Sequence, residues 1–189
     1  IEPGAPGAGD DSVPEGDALV YSVSVSNASS QPVSYPFAIG GGSAGAGDIG
    51  TPVFSDGVVL NADGTITVPA GVTRFTVTLP TTPDSVDEAN ETVPLTIGGV
   101  IATGTIIDDD GTPNIVSIEP GAPGLGDDSV PEGTGLLFTV ALSNPSAAPV
   151  SYPFDLGGTA GSGDIGTPVF SHGVTLNPDG TITVPAGVT

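Results

Sequence analysis

The chain repeats itself at the length of a whole domain. The sequence Ile-Glu-Pro-Gly-Ala-Pro-Gly occurs at 1–7 and again at 118–124, an offset of 117 residues. After a glycine-rich stretch the offset becomes 116, so that Gly47–Pro52 matches Gly163–Pro168. A near-identical repeat of this length is typical of a tandem array, which supplies length or many copies of one surface.

The repeat predicts two domains joined by a short linker. We expect residues 1–110 to form a first β-sandwich that lacks its N-terminal lead-in, and residues 111–114 to form the linker. Residues 115–189 then form a second repeat truncated at its C-terminal strands, because it contains no counterpart of Arg74–Gly111. We expect this second copy to leave core surface bare and strand edges unpaired.

Period-two alternation of apolar residues predicts an all-β fold. The 30 glycines and 20 prolines would break most helices. Strands are predicted around two alternating faces and at five further segments: 19–25, 33–39, 58–60, 65–68, 74–79, 92–97 and 100–107. Short strands at this spacing indicate tandem antiparallel, immunoglobulin-like β-sandwiches. Pro36 and Pro153 suit edge strands, because proline cannot donate to a ladder.

The charge balance restricts the partners of the chain. Its formal net charge is −21, from 22 acidic residues against one basic residue, Arg74. Such a chain repels nucleic acid and anionic membranes and attracts cations, and no apolar run is long enough to insert into a membrane. There is no cysteine, so life outside the cell would not depend on disulfides. We expect a monomer whose partners are cations and neighbouring repeats.

The acidic residues cluster in loops at strand ends. One cluster is Asp84, Asp87, Glu88 and Glu91, a second is Asp108–Asp110, and Glu15 and Asp48 lie beside glycines. Three adjacent aspartates repel one another unless a cation lies among them, and calcium accepts many oxygen ligands in irregular geometry. Zinc does not suit a chain with no cysteine and one histidine. The alternative is a solvated acidic surface without metal.

Five motifs together resemble the Calx-β domain family. In order along the first copy they are Glu15-Gly16, Gly42–Asp48, Asp63–Ile66 with Pro69-Ala70-Gly71, Asp84–Glu91 and Ile106–Asp110. The resemblance implies a calcium cluster at one end of the sandwich, with these ligands: Glu15, Asp48, Asp84, Glu88, Glu91, Asp108, Asp109 and Asp110. In the second copy Glu132 and Asp164 keep their places without their partners, so that site should be incomplete.

Three departures from the family pattern predict fewer calcium ions than in a full cluster. Ile49 replaces an aromatic residue, and Gly41 or Gly42 stands where the family often has aspartate. The acidic loop is also thinner, with Ser85 and Ala89 at positions where acids are common.

The lysine-free, cysteine-free acidic repeats are also similar to extender repeats of giant RTX-type, type I-secreted bacterial surface adhesins. That resemblance implies an extracellular array that projects a distal adhesive domain. Calcium bridging Asp108–Asp110 across the linker at 111–114 would convert a flexible joint into a stiff one.

Three rival functions are weaker. An enzyme would need a base, and the only histidine, His172, stands in a turn where the first copy has Asp56. The threonine rows at 65–67 and 76–78 could form a face that binds a glycan or ice, although threonine also simply fills exposed strands. A regulatory calcium sensor is the third. Asp10-Asp11 and Asp127-Asp128 either add metal ligands or, as we favour, cap a Pro-Gly loop.

Overall fold

A computed structural model describes residues 1–161 and 163–189. These residues contain fifteen β-strands and no helix, so the described chain is all-β as predicted. The described residues contain no helix that is long and apolar enough to cross a membrane. The chain divides into two compact units, the first formed by Ile1–Asp84 with Ala89–Asp109 and the second by Ser85–Glu88 with Asp110–Thr189.

The first unit contains two sheets. The four-stranded sheet has the order β1 (Glu2–Pro3), β3 (Ala18–Ser24), β8 (Arg74–Pro80) and β5 (Val53–Phe54). The six-stranded sheet has the order β2 (Ser12–Pro14), β10 (Val100–Ile107), β9 (Glu91–Ile97), β4 (Val33–Ile39), β7 (Thr65–Val68) and β6 (Val59–Leu60). All neighbouring strands are antiparallel except β2 and β10, which are parallel.

One apolar core lies between these sheets. In β3 and β8 every second side chain is buried, and the register pairs Leu19 with Leu79 and Tyr21 with Val77. Alternate residues of β9 and β7 in the other sheet belong to the same cluster of buried side chains. Because both sheets bury one face against this cluster, the first unit is built as a β-sandwich.

The strands predicted from alternation are confirmed in the first unit, and three short ones were missed. β1, β2 and β5 span two or three residues each, which is too short to show a period. The edge position predicted for Pro36 is wrong, because β4 lies between β9 and β7. The Pro36 carbonyl accepts a hydrogen bond from Gly98 N–H at 2.9 Å. Pro36 has no N–H to donate on that side of the strand, but that side faces the turn at Gly98, where the pairing of β4 with β9 ends.

The second unit contains five strands in two small sheets. β11 (Ile115–Pro120) pairs with β12 (Phe138–Leu142), and the other sheet has the order β13 (Val150–Pro153), β15 (Thr181–Val184) and β14 (Thr175–Leu176). β13 is an edge strand, as its Pro153 predicts. Many large apolar side chains of this unit are exposed, among them Leu137, Phe138 and Val169.

Residues Ser85–Glu88 belong to the second unit although the sequence numbers them within the first repeat. The Ser146 hydroxyl donates to Asp87 Oδ2 at 2.9 Å. The Asp87 N–H donates to the Pro145 carbonyl at 3.1 Å, and Ala147 N–H donates to the Asp87 carbonyl at 2.9 Å. Burial first, and then the charge of Asp87, raise the pKa of Tyr152 in the same unit.

Candidate metal centre

The parallel pairing of β2 with β10 determines where Glu15 lies. Pro14 is in register with Ile107, and the Glu15 N–H donates to the Ile107 carbonyl at 3.1 Å. Glu15 therefore follows the end of β2 at the point where β10 runs into Asp108–Asp110. The Asp84 N–H also donates to Glu15 Oε2 at 3.3 Å. Glu15 is thus half-buried at the C-terminal end of β10, where its backbone bonds to that strand and its carboxylate accepts from the loop at Asp84.

Three predicted ligands meet at this end of β10. Glu15, Asp109 and Asp110 each offer a carboxylate oxygen, and the three oxygens lie within 4.8 Å of one another. Oxygens around calcium lie at 2.3–2.6 Å from the ion, so spacings up to about 5 Å between them are compatible with one shared ion. This group can hold a metal ion, and it is the one such group found among the described residues.

The remaining predicted ligands lie outside that group. The Asp108 N–H donates to Asn90 Oδ1 at 3.1 Å, and Asp84 reaches Glu15 through its backbone. Glu91 is the first residue of β9, and neither Glu91 nor Glu88 belongs to the carboxylate group. Asn90 was not predicted, because an amide that positions a neighbouring loop has no signature in residue spacing.

Asp48 and its counterpart Asp164 each close a turn. The Asp48 carboxylate accepts a hydrogen bond from Gly45 N–H at 2.6 Å, and the Asp164 carboxylate accepts one from Gly161 N–H at 2.8 Å. Glu132, the counterpart of Glu15, is exposed in a loop of the second unit. The geometry gives these three residues no shared metal group among the described residues.

Other acids also hold turns, and they do so in both repeats. Ala5 N–H donates to both oxygens of Asp10 at 3.0 Å, and Ala122 N–H donates to Asp127 at 3.1 and 3.2 Å. Glu2 accepts from Gly7 N–H at 2.6 Å, as its counterpart in the second repeat does from Gly124 N–H. These contacts confirm that Asp10 and Asp127 cap the Pro-Gly loops.

A third repeated pair illustrates the electrostatics of such turns. The hydroxyl and the amide of Thr65 both donate to Asp63 Oδ1, at 2.7 and 3.0 Å. The hydroxyl bond, followed by the amide bond, lowers the pKa of the Asp63 carboxyl. Asp179 makes the same two bonds to Thr181, and its pKa is lowered for the same reasons.

Steric crowding and backbone conformation exclude a side chain at Gly42 and Gly41. A Cβ atom on Gly42 would lie 2.0 Å from the carbonyl oxygen of Thr92, and Gly41 has a φ of 86°. A side chain at Gly42 would collide with backbone, and one at Gly41 would be strained. Neither position can supply a carboxylate without moving the chain.

The threonine rows that suggested ligand binding lie in different sheets, and the histidine considered for catalysis is exposed. Thr65 and Thr67 lie in β7 of the six-stranded sheet, whereas Thr76 and Thr78 lie in β8 of the four-stranded sheet, so the two rows do not form one face. His172 lies in an exposed turn with a φ of 52°, and its Nδ1 is 2.9 Å from the Ser171 hydroxyl.

Comparison with known proteins does not assign a family. A scan against protein-family models finds no match, and a search of curated proteins finds no relative of this sequence. The function is therefore argued from the residues that meet at the end of β10 and from the repeat itself.

Proposed function

We propose that this chain is part of a calcium-binding extender array of a bacterial surface adhesin, built from immunoglobulin-like, Calx-β-like sandwiches. The observation that supports this most is the group of Glu15, Asp109 and Asp110 carboxylates within 4.8 Å of one another. The group directly precedes the linker Gly111–Asn114, where an ion can change how the chain leaves the first unit. Near-identical repeats favour a spacer function over a single regulatory module.

Calcium would act by removing repulsion between carboxylates. Three carboxylates so close together repel one another, and the sequence offers one arginine against 22 acidic residues. A divalent ion among them reverses this interaction and fixes the backbone on either side. Three protein carboxylates leave several positions of calcium to water or carbonyl oxygens, which suits a dissociation constant of about 0.1–1 mM, as in extracellular modules.

The proposed mechanism is a joint that stiffens outside the cell. Without the ion, Gly111 leaves the linker at 111–114 flexible. With the ion bound, the array projects its distal adhesive domain farther. Calcium at 100 times its dissociation constant would also stabilise the folded protein by about 2.7 kcal/mol.

The alternatives are a repeat that binds a ligand directly and a regulatory calcium sensor. Direct binding through threonine is disfavoured by the placement of the two rows in different sheets. A sensor would also bind calcium at the same carboxylates, so the response of particle length to calcium distinguishes it from an extender.

Calcium titration of the full chain tests the proposal. Isothermal calorimetry and thermal melting would be compared for the natural chain, for Asp109→Asn with Asp110→Asn, and for a charge-matched control, Asp128→Asn with Asp155→Asn. Both control residues are exposed and lie outside the carboxylate group. We expect calcium binding and a raised Tm in the natural chain and the control, and neither in the site variant.

Small-angle scattering of a chain with two complete repeats, with calcium and then with chelator, tests the mechanical part. We expect a longer particle with calcium. Equal calcium binding by the site variant and the control would refute the metal site. Binding without any change in particle length would refute the extender function and favour the sensor.

A further inference from the structure

We propose that the second unit clamps the linker Gly111–Asn114 onto its own surface, and that this clamp needs no metal ion. The linker forms no regular secondary structure, so by that criterion alone it would be a free tether. Its backbone is nevertheless bound by three side chains, those of Ser143, Asn144 and Tyr152. The linker and these three residues all belong to the second unit.

Two linker carbonyls accept hydrogen bonds from side chains. Asn144 Nδ2 donates to the Gly111 carbonyl at 2.8 Å, and the Tyr152 hydroxyl donates to the Pro113 carbonyl at 2.7 Å. Asn144 lies in the loop that follows β12, whereas Tyr152 lies in β13. Because the two donors come from different elements, they hold the linker at two separate points.

The end of the linker is bonded in both directions to Ser143. The Asn114 N–H donates to the Ser143 hydroxyl at 3.0 Å, and the Ser143 N–H donates to the Asn114 carbonyl at 2.9 Å. The Ser143 hydroxyl also hydrogen-bonds to Asn144 Oδ1, which belongs to the same amide that holds Gly111. These bonds form one connected network, and connected hydrogen bonds polarise and strengthen one another.

Pro113 gives the clamp an apolar anchor. It is buried, whereas the other residues of the linker, Gly111, Thr112 and Asn114, are exposed. Proline fixes its own φ at about −65°, so less conformational freedom is lost when the segment binds. A tether surrounded by solvent would not keep one residue buried, and the burial therefore agrees with the hydrogen bonds.

The clamp residues belong to the repeat and not to one copy of it. The same three residue types stand at the equivalent positions of the first repeat: Ser26, Asn27 and Tyr35. Neighbouring positions do change, since Ala28 corresponds to Pro145 and Gln31 to Ala148. The first repeat therefore supplies matched control positions for each clamp residue.

The clamp determines where the chain can turn between the metal group and the second unit. None of its residues is a predicted calcium ligand. It holds the peptide plane between Gly111 and Thr112, and each residue contributes only two soft dihedrals. Asp109 is therefore separated from the fixed plane by the dihedrals of Asp110 and Gly111. The effect of an ion here rests on the proposed function: calcium at Asp109 and Asp110 would restrain those dihedrals rather than the whole linker.

Amide hydrogen exchange in the full chain, first in excess chelator and then in calcium, tests the clamp. The reporters are the N–H groups of Asn114 and Ser143, because both bond the linker to the loop after β12. The clamp variant combines Asn144→Ala with Tyr152→Phe and removes both side-chain donors. The control variant makes the same changes in the first repeat, at the equivalent positions: Asn27→Ala with Tyr35→Phe.

We expect both reporters to exchange at least about tenfold more slowly in chelator than in an unstructured peptide, because slow exchange reports a closed hydrogen bond. The clamp variant should remove most of this protection, and the control variant should leave it unchanged. Amides of the β13–β15 ladder show whether the second unit stays folded, and they should respond to neither variant.

Unprotected reporters in chelator would overturn the proposal, and protection that arises only with calcium would assign the linker to the metal joint instead. Equal acceleration by the control variant would also overturn it. So would equal acceleration of the β13–β15 amides in the clamp variant, because the protection would then belong to the whole unit. Slow reporters in a chain that binds no calcium would support the clamp and refute the metal site.

Discussion

Replacing Tyr21 by phenylalanine tests how the two sheets of the first unit are joined. The Tyr21 side chain is completely buried, and its hydroxyl donates a hydrogen bond to the Val93 carbonyl. The same oxygen accepts one from Gly104 N–H at 3.3 Å. Tyr21→Phe keeps the ring and removes both bonds, and at neutral pH it should cost about 1–3 kcal/mol of the free energy of unfolding.

Alkaline pH gives the sharper part of this prediction. Burial raises the pKa of Tyr21 from 10.0 to about 12, although the hydrogen bond from Gly104 opposes the shift. The folded protein therefore holds the phenol proton more tightly than the unfolded chain does. This contribution is complete below pH 10 and is lost as pH rises towards 12. At 1.36 kcal/mol per pH unit, the two units amount to about 3 kcal/mol.

The composition makes the measurement unusually clean, because no lysine or cysteine titrates in this range. Urea unfolding between pH 9 and pH 12 would be followed by circular dichroism, with near-ultraviolet absorbance reporting tyrosinate formation. The natural chain should lose stability over this range. Tyr21→Phe should lose much less over the same range. An equal alkaline loss in Tyr21→Phe and the natural chain would refute the reasoning.

Three further substitutions have defined outcomes. Gly104→Ala places a Cβ 2.7 Å from a Leu19 methyl and should cost about 1–3 kcal/mol in urea unfolding. Gly42→Ala meets the Thr92 carbonyl at 2.0 Å and should lower the Tm, whereas the control Gly47→Ala meets nothing within 4 Å and should not; an equal Tm for both would contradict the steric argument. Asp63 has a lowered pKa, so its contribution is present above the unfolded pKa and lost as pH falls through the folded one. Asp63→Asn should therefore flatten the acid limb of the Tm–pH curve, and an unchanged limb would count against this role.

Local sequence predicts the long strands of the first unit well but misses three of its short ones. β3, β4, β8, β9 and β10 show a clear period of two, and each forms near its predicted position. Whether a short segment becomes a strand depends on its partner. Ser12-Val13-Pro14 and Ser129-Val130-Pro131 have identical sequences, yet one is a strand and the other is not. Single-sequence patterns cannot contain that information, because the partner lies about 90 residues away in the chain.

The candidate site was predicted in part for a related reason. Three of the predicted ligands meet, because β2 and β10 end together and bring Glu15 to Asp109 and Asp110. Asp48 was assigned to the same site, but its carboxylate accepts a hydrogen bond from a backbone amide three residues earlier. Acidic residues beside glycines fit either purpose, and only the backbone geometry distinguishes a turn from a ligand.

The parallel pairing of β2 with β10 also determines how the first unit resists mechanical tension. β2 lies near the start of the unit and β10 near its end, so a pull on the two ends slides these strands past each other. The load is then shared by the whole ladder, including Thr105 N–H to the Asp11 carbonyl at 2.9 Å and Glu15 N–H to the Ile107 carbonyl at 3.1 Å. Bonds loaded together in shear break at higher force than bonds opened one by one. We expect Val13→Pro, which disrupts this ladder, to lower the unfolding force in single-molecule pulling, and an unchanged force would show that the load runs elsewhere.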